Sequence, residues 1–279
     1  MFKNIIRILK ILRLEVQQFK SRNIENPTTG ISFSERQKIK AHPRMEHGIS
    51  TIFKLPFHFS DKEGFLHSLD EIFGQDTYKF ISNKDNPVII DCGANIGLSV
   101  LYFNRLFPNA TIIAFEPDEQ IFQLLKKNIT QINTNKNIQI LKEAVWICDT
   151  ELSFFSEGSL AGSSVTDFGK TNNVITVKAV DLKKYLTKKI DFLKIDIEGA
   201  ENDVIFDIAP LLHNVENLFL EYHGLRDNPQ NLGDILNLIK EQGFQYYIRV
   251  AADNMRLPFC EEMTYAFNQQ LNIFCYRKK

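Results

Sequence analysis

The sequence predicts an α/β protein with a mostly parallel β-sheet that is covered by helices on both faces. Two observations lead to this fold class. From residue 87 onward, short apolar runs alternate with stretches in which apolar residues recur at helical spacing. The apolar runs are also nearly continuous, as expected of strands that are buried on both faces.

The main domain is predicted to span residues 86–279. Its first five segments, alternately strand and helix, are "PVIIDCG", "NIGLSVLYFNRLF", "ATIIAFEP", "EQIFQLLKKNITQI" and the third strand "IQILKEAVW". They are followed by the strands "IDFLKIDIE" and "NLFLEYHG", the helix "LGDILNLIKEQGF" and the closing strands "FQYYIRVA" and "QLNIFCYRK". Apolar periodicity and the flanking Gly and Pro residues support each assignment.

Residues 1–85 are predicted to form an extension and cap. Residues 1–22 carry apolar residues at helical spacing, and six Lys and Arg residues face one acid, Glu15. Two interpretations of this basic amphipathic helix stay open: it packs on its own domain or a partner chain, or it lies on a membrane surface. After the turn "NPTTG", "GISTIFKLPFHFS" predicts edge strands and "DKEGFLHSLDEIF" predicts a helix.

Charge and cysteine content narrow the class of protein. The formal net charge of −1 lacks the basic excess that is typical of nucleic-acid binding. The four cysteines form no metal-type or redox-type pair, which favours reduced, mostly buried thiols in a cytosolic protein. No apolar stretch reaches the roughly 18 residues of a membrane span. We therefore expect a cytoplasmic protein without a nucleic-acid partner, with any membrane contact made peripherally through residues 1–22.

A glycine-rich turn between the first strand and the first helix predicts a nucleoside ligand. The turn contains Asp91, Gly93 and Gly97, and Glu116 ends the following strand. A carboxylate at that position can accept hydrogen bonds from ribose hydroxyls. Because the acid at position 91 would repel a pyrophosphate, S-adenosylmethionine is favoured over a nicotinamide dinucleotide.

Four strings, "IDCGANIG", "FEPDEQIFQLLKKNI", "EAVW" and "IDFLKIDIEGAE", occur in this order and resemble the FkbM-type family of S-adenosylmethionine-dependent methyltransferases. The resemblance covers roughly residues 85–276. It implies the class I methyltransferase fold, a Rossmann-like seven-stranded sheet whose last strand is antiparallel. It also implies an acceptor hydroxyl on a sugar, a polyketide macrolide or a similar metabolite.

The resemblance also assigns cofactor contacts position by position. Around the methionine part it places Asp91, Gly93, Asn95 and Gly97. The position of Asp196 at a neighbouring strand end makes it a further candidate, through the methionine ammonium or the acceptor. Glu116 would hold the ribose, while Glu143 and Ala144, at the end of the third strand, would border the adenine.

Acidic side chains gather at the predicted carboxyl ends of two strands that lie side by side in this fold. Asp196 and Glu198 follow the fourth strand, and the fifth brings Glu221 and His223 beside them. The protein must align the attacking hydroxyl and take its proton. We expect His223 to be the base because its ordinary pKa lies near neutrality, with Asp196 and Glu198 as further catalytic candidates.

The same acids raise the question of a metal ion. Asp196, Glu198 and Glu221 are oxygen ligands of the kind that a hard divalent cation takes. No tight Asp-Asp pair is present, so we expect no essential metal. Asp191 and Asp203 are expected to be ordinary surface acids, and the polar loop of residues 156–169 is a candidate wall of the acceptor site.

The sequence thus predicts an O-methyltransferase that acts on a sugar, a glycan or a small metabolite. Three alternatives stay open: a non-catalytic nucleoside-binding scaffold, an N-methyltransferase and a nicotinamide oxidoreductase. The turn Asp196-Ile-Glu-Gly lacks the Asn/Asp-Pro-Pro-aromatic pattern that is usual for methylation of amines, and this disfavours the second.

Deleting residues 1–22 should leave the affinity for S-adenosylmethionine intact, because no catalytic role is assigned to this segment. We expect the deletion to change either sedimentation with anionic vesicles or the size of the oligomer. Calorimetry, vesicle pelleting and light scattering measure the three properties. Unfolding of the truncated protein, with neither surface property changed, would show instead that the segment is part of the core.

Overall fold

The computed structural model describes residues 22–132, 137–155, 174–225, 229–255, 257–260 and 267–278. Two compact units divide the chain after Thr77, whereas the sequence placed the boundary after residue 85. The predicted helix of residues 1–22, apart from Arg22, and the predicted acceptor wall of residues 156–169 lie outside the described residues.

The first unit contains the two predicted strands, paired as a hairpin, and the predicted helix that follows them, together with a helix that the sequence analysis did not predict. Its elements are α1 (Phe33–Ala41), β1 (Gly48–Ile52), β2 (Leu55–Phe59) and α2 (Lys62–Leu69), which continues as a π-helical turn (Asp70–Gly74). The carboxylate of Asp61 accepts hydrogen bonds from the amides of Glu63 and Gly64 and so fixes the start of α2. The rings of Phe59 and Phe65 stack at 4.8 Å between centroids in the core of this unit.

The second unit is built on a seven-stranded sheet. Its strands are β3 (Val88–Cys92), β4 (Thr111–Phe115), β5 (Ile138–Leu141), β9 (Ile190–Ile195), β10 (Val215–Leu225), β11 (Gln245–Asp253) and β12 (Phe267–Tyr276). The strand order is β11-β12-β10-β9-β3-β4-β5, and β12 is antiparallel to both of its neighbours. This is the sheet of class I methyltransferases, so the predicted fold class is confirmed.

The α-helices in the described part of this unit are α3 (Leu98–Leu106), α4 (Glu119–Thr130), α5 (Glu201–Asp207) and α6 (Leu232–Glu241). α4 shows the pattern that makes them predictable. Asp118 caps it by accepting hydrogen bonds from two backbone amides, and the buried residues Ile121, Leu125 and Ile129 recur every four residues.

The prediction of a single strand over "IQILKEAVW" is wrong. β5 ends at Leu141, and Ala144–Trp146 forms a separate strand, β6. With β7 (Thr150–Phe155) and β8 (Val174–Asp181), β6 makes a second sheet in the order β6-β8-β7. Glu143 lies at the crossing between the two sheets, where its carboxylate pairs with Lys178 of β8. The polar pair Lys142-Glu143 therefore marks a change of sheet.

Asp191 is also not the surface acid that the sequence suggested. It is buried within β9, where its carboxylate forms an ion pair with Lys84 and accepts a hydrogen bond from the amide of Val88 at 2.9 Å. The four cysteines are free thiols, two of them buried and two exposed. In the parts of the chain that the structure describes, no helix is long and apolar enough to cross a membrane.

The order of the strands positions the site. β3 and β9 are parallel neighbours, and β10 is parallel to β9, so the three strands end at the same edge of the sheet. From β3 the chain continues to β4 and β5 on one side, whereas β9 and β10 lie on the other side, so the strand order reverses at β3. In doubly wound sheets, ligands bind at the point where the strand order reverses. The glycine-rich turn after β3 and the acids after β9 therefore meet there.

Candidate functional site

The glycine-rich turn is held against the end of β9. Gly93 has a φ of 87°, and a Cβ atom at this position would lie 1.9 Å from the carbonyl oxygen of Asp196. Gly97 has a φ of 93°, and a Cβ atom there would lie 2.8 Å from Leu125 of α4. Neither position accepts a side chain without movement of the backbone or of the core. The two glycines thus bring the turn, the acidic segment and α4 into direct contact.

The backbone amides of this turn are already engaged. All five amides of residues 93–97 donate hydrogen bonds within the chain, three of them to backbone carbonyls. The other two donate to the carboxylate of Glu116 at 3.0 Å and to the side chain of Asn95 at 2.7 Å. Asn128, which is buried, donates to the carbonyl of Ile96 at 2.8 Å. A pyrophosphate requires unengaged amides at such a turn, so this arrangement disfavours a dinucleotide and fits S-adenosylmethionine.

Glu116 lies at the end of β4, facing the turn. Its carboxyl group is buried and accepts hydrogen bonds from the amides of Asn95 and Asp118 at 3.0 and 2.9 Å. Burial, which these hydrogen bonds only partly offset, raises the pKa of Glu116 to about 8. The group is therefore mostly protonated at neutral pH until a ligand stabilises its ionised form.

A buried lysine, which the sequence analysis missed, lies between the two acidic segments. The ammonium of Lys194 lies 3.3 Å from the carboxylate of Asp91 and 3.2 Å from that of Asp196, and it donates to the carbonyl of Gly93 at 2.8 Å. Burial alone would lower the pKa of Lys194, but the carboxylates of Asp196 and Asp91 raise it well above its usual range. The lysine is therefore positively charged and offsets part of the negative charge of Asp91 and Asp196.

Asp91 is placed differently from what its predicted contact with the methionine part implies. Its side chain is fully buried, and it accepts a hydrogen bond from the hydroxyl of Ser99 at 2.5 Å in addition to its ion pair with Lys194. The charge of Asp91 thus acts inside the protein and holds the start of α3 and Lys194 in place. Its influence on a ligand would pass through Lys194.

His223 is held by Glu201, to which the sequence analysis assigned no role. Its Nδ1 atom lies 2.8 Å from the carboxylate of Glu201, which also accepts hydrogen bonds from the amides of His223 and Gly199 at 2.9 and 2.8 Å. Both side chains are fully buried. Burial alone would lower the pKa of His223, but Glu201 and Glu198 raise it well above the usual range. Glu201 therefore fixes the imidazole with Nε2 pointing away from α5.

Three carboxylates surround this imidazole at the ends of β9 and β10. The Nε2 atom of His223 lies 3.4 Å from Glu198 and 3.8 Å from Glu221. Asp196, Glu221 and His223 each offer one ligand atom, and these three atoms lie within 4.8 Å of one another. The structure thus brings Asp196, Glu198 and His223 together, as the sequence analysis expected.

The backbone of the acidic turn is strained. Glu198 has a φ of 55°, in the left-handed region that side chains other than those of Gly, Asn and Asp rarely adopt, and Gly199 follows with a φ of 103°. Such strain costs on the order of 1–3 kcal/mol and concentrates at functional sites. It keeps the carboxylate of Glu198 beside His223.

The predicted cofactor residues fall into two groups. Those of the turn after β3, of the end of β4 and of the segment after β9 lie together and comprise Asp91, Gly93, Asn95, Gly97, Glu116 and Asp196. Glu143 and Ala144 lie instead at the start of the second sheet, where Ala144 is buried in a small core with Phe154. Their contact with an adenine stays a prediction.

Comparison with known proteins defines the family. The family model described as "Methyltransferase FkbM domain" matches residues 91–246, more than half of the 279 residues. The chain belongs to the FkbM methyltransferase family. The match includes the glycine-rich turn, Lys194, the acidic turn and His223.

The individual proteins and structures that this chain resembles are distant in sequence. "Methyltransferase sdnD" from Sordaria araneosa is 28% identical over 212 residues, which are 62% of this chain and 80% of that protein. "2-O-methyltransferase NoeI" from Sinorhizobium fredii is 24% identical over 159 residues, 50% of this chain and 64% of that protein. The crystal structure of "Methyltransferase FkbM" from Methylobacillus flagellatus KT is 12% identical, with a TM-score of 0.45 over 86% of this chain and 58% of that one.

The raised pKa of Glu116 predicts that the affinity for S-adenosylmethionine depends on pH. Ribose hydroxyls donate to a carboxylate, so binding must release the proton that the unliganded group holds below about pH 8. Affinity should therefore rise about 10-fold between pH 7 and pH 9, as expected of linkage to one group with this pKa. Calorimetry at a series of pH values measures it.

The matched control for this prediction is Glu116→Gln, which keeps the shape and cannot ionise. The cofactor's own titration affects both proteins equally, so the difference between the two profiles isolates Glu116. Identical profiles would remove Glu116 from the ribose contact.

Proposed function

We propose that this FkbM methyltransferase transfers a methyl group from S-adenosylmethionine to a hydroxyl of a sugar, a glycan or a small metabolite. The observation that carries the proposal is the cluster of Asp196, Glu198, Glu221 and His223 beside the glycine-rich turn. The cluster supports the proposal because its side chains are of the kinds that accept a hydroxyl proton, and because ligands of this fold bind at the same edge of the sheet.

The described residues fit the methyl donor. Glu116 offers a carboxylate to the ribose, and the engaged amides of residues 93–97 leave no phosphate site in this turn. Asp196, whose side chain is partly exposed, would hold the ammonium of the methionine part. When bound, S-adenosylmethionine supplies a methyl carbon whose bond to sulfur breaks, with the electron pair left on sulfur, as the bond to the acceptor oxygen forms.

The chain's own contribution is to align the hydroxyl and to remove its proton. The carboxylate of Glu198 lies where it can accept that proton. The imidazole of His223, whose Nε2 lies 3.4 Å from Glu198, can accept it only after losing the Nε2 proton that its raised pKa retains near neutral pH. Glu201 holds the imidazole from behind, in the manner of an orienting carboxylate in a catalytic triad. The left-handed backbone at Glu198 keeps its carboxylate in position.

A hydroxyl acceptor agrees with this chemistry better than an amine. An alcohol must lose its proton as it is methylated, and carboxylates and an imidazole are the groups that accept one. The turn Asp196-Ile-Glu-Gly offers charged carboxylates where amine methyltransferases offer backbone carbonyls. The similarity to a protein named 2-O-methyltransferase NoeI also supports a hydroxyl acceptor.

Substitutions of Glu198 and His223 should lower the turnover rate and leave the affinity for S-adenosylmethionine nearly unchanged. We expect Glu198→Gln and His223→Ala each to reduce kcat by about 10²- to 10⁴-fold, the usual range for a positioned acid or base. Affinity for S-adenosylmethionine should stay within about threefold, because the two groups face the acceptor. Turnover is measured with an acceptor found by screening sugars and hydroxylated metabolites for gain of a labelled methyl group.

Asp203→Asn is the matched control, since Asp203 lies exposed on α5, two residues from Glu201. It should retain normal turnover. Undiminished turnover in both Glu198→Gln and His223→Ala would refute the assignment of the proton acceptors. Transfer of the label to nitrogen or carbon, and to no hydroxyl in the screen, would refute the proposed reaction.

A further inference from the structure

We propose that Asp196, Glu221 and His223 form a binding site for one divalent transition-metal ion. The inference deepens the proposed function, on which its catalytic consequence rests. The binding of the ion itself can be tested without any turnover. It also revises the expectation from sequence that no metal is essential, and with the ion bound Asp196 serves as a metal ligand in place of its contact with the methionine ammonium.

The geometry of the three side chains fits a common ion after a small closure. Their ligand atoms lie within 4.8 Å of one another. Three ligands at about 2.1 Å from one ion lie roughly 3.0–3.6 Å from one another, so the side chains must close by up to about 1.5 Å, which rotation about their side-chain bonds allows. The side chains of Asp196 and Glu221 are 24% and 16% exposed, which leaves the ion a path from solvent.

The imidazole supplies an observation that is independent of the acids. His223 is completely buried, and its Nε2 atom has no hydrogen-bond partner among the described residues although it points into the cluster. Its nearest carboxylate oxygens, those of Glu198 at 3.4 Å and Glu221 at 3.8 Å, form ion pairs without a hydrogen bond to it. A buried polar nitrogen that makes no hydrogen bond is costly, and a ligand at Nε2 removes that cost. Nδ1 is engaged by the carboxylate of Glu201 at 2.8 Å. Histidines that bind metals typically donate their second ring nitrogen to a carboxylate in this way.

The balance of charge favours a cation in the same place. Asp196, Glu198 and Glu221 all lie near Nε2, and Glu201 adds a fourth carboxylate behind the ring. The ammonium of Lys194, which pairs with Asp196, is shared with Asp91 and so cannot balance the cluster. A divalent ion bound in place of the Nε2 proton would bring one more positive charge to this partly enclosed group of carboxylates than the protonated imidazole does.

The ligand set also indicates the class of metal. Mg²⁺ and Ca²⁺ prefer ligand sets made of oxygen atoms, whereas imidazole suits transition metals. One imidazole with two carboxylates therefore favours Mn²⁺, Fe²⁺, Co²⁺ or Zn²⁺. We use Mn²⁺ as the probe because free Mn²⁺ has an intense electron paramagnetic resonance signal that diminishes on binding.

A metal ion bound at this site would determine which side chain accepts the proton of the acceptor hydroxyl. With a metal at Nε2, the imidazole has no lone pair left, so the proton goes to the carboxylate of Glu198. The ion would lower the pKa of the acceptor hydroxyl by binding its oxygen, as metals do with water. His223 would then act as a ligand and Glu198 as the base.

The test is a Mn²⁺ titration of the full chain after treatment with a chelator and its removal. We expect one saturable ion per chain, with nitrogen hyperfine coupling from an imidazole. Glu221→Gln and His223→Gln should each weaken binding about 10-fold or more, and His223→Gln should abolish the nitrogen coupling. Asp203→Asn is the control and should bind like the wild type. Calorimetry with S-adenosylmethionine verifies that each variant is folded.

Absence of a saturable site in the wild type would overturn the proposal. So would equal binding by wild type, Glu221→Gln and His223→Gln. If Mn²⁺ binds as expected but no hydroxyl acceptor is methylated, the metal site stands and the proposed reaction fails. If methyl transfer is retained after complete removal of metal and no ion binds, the reaction stands and the metal site fails.

Discussion

The buried ammonium of Lys194 is the interaction on which the site depends. It lies between Asp91, at the end of β3, and Asp196, just beyond β9, and it also donates to the carbonyl of Gly93. Without it, two carboxylates at adjacent strand ends would repel each other in a region of low dielectric constant. With it, the glycine-rich turn can lie against the acidic turn. The absence of a side chain at Gly93 then permits the contact with the carbonyl of Asp196.

This arrangement divides the acids of the site into two kinds. Asp91 and Glu201 are fully buried and hold other groups in place, the first Lys194 and Ser99, the second the imidazole of His223. The carboxylates of Glu198 and Glu221 are partly exposed and lie where an acceptor can enter. The acidic residues at this edge of the sheet therefore contribute both to the packing of the strand ends and to the proposed chemistry. Neither purpose alone accounts for all of these residues.

Much of the second unit could be predicted from sequence because local patterns agree with the final packing. Apolar runs, glycine positions and helix caps such as Asp118 mark the strands and helices of the parallel sheet. The meeting of Asp196, Glu198 and His223 followed from the rule that parallel strands end at a common edge. Features that depend on contacts between segments distant in sequence were missed. Glu143 leaves the main sheet to pair with Lys178, and Lys194 resembles an exposed lysine until both neighbouring strands bury it.

A double-mutant cycle on Lys194 and Asp91 tests the role of the buried ammonium most directly, with urea unfolding as the measurement. Lys194→Met leaves Asp91 buried without its counter-ion and should cost about 3–5 kcal/mol, the range for breaking a buried pair. Adding Asp91→Asn should recover at least about half of this loss. Lys178→Met, which removes an exposed lysine from its pair with Glu143, should cost at most about 1 kcal/mol. If the costs of Lys194→Met and Asp91→Asn simply add, the ammonium does not hold the strand ends together and the account is wrong.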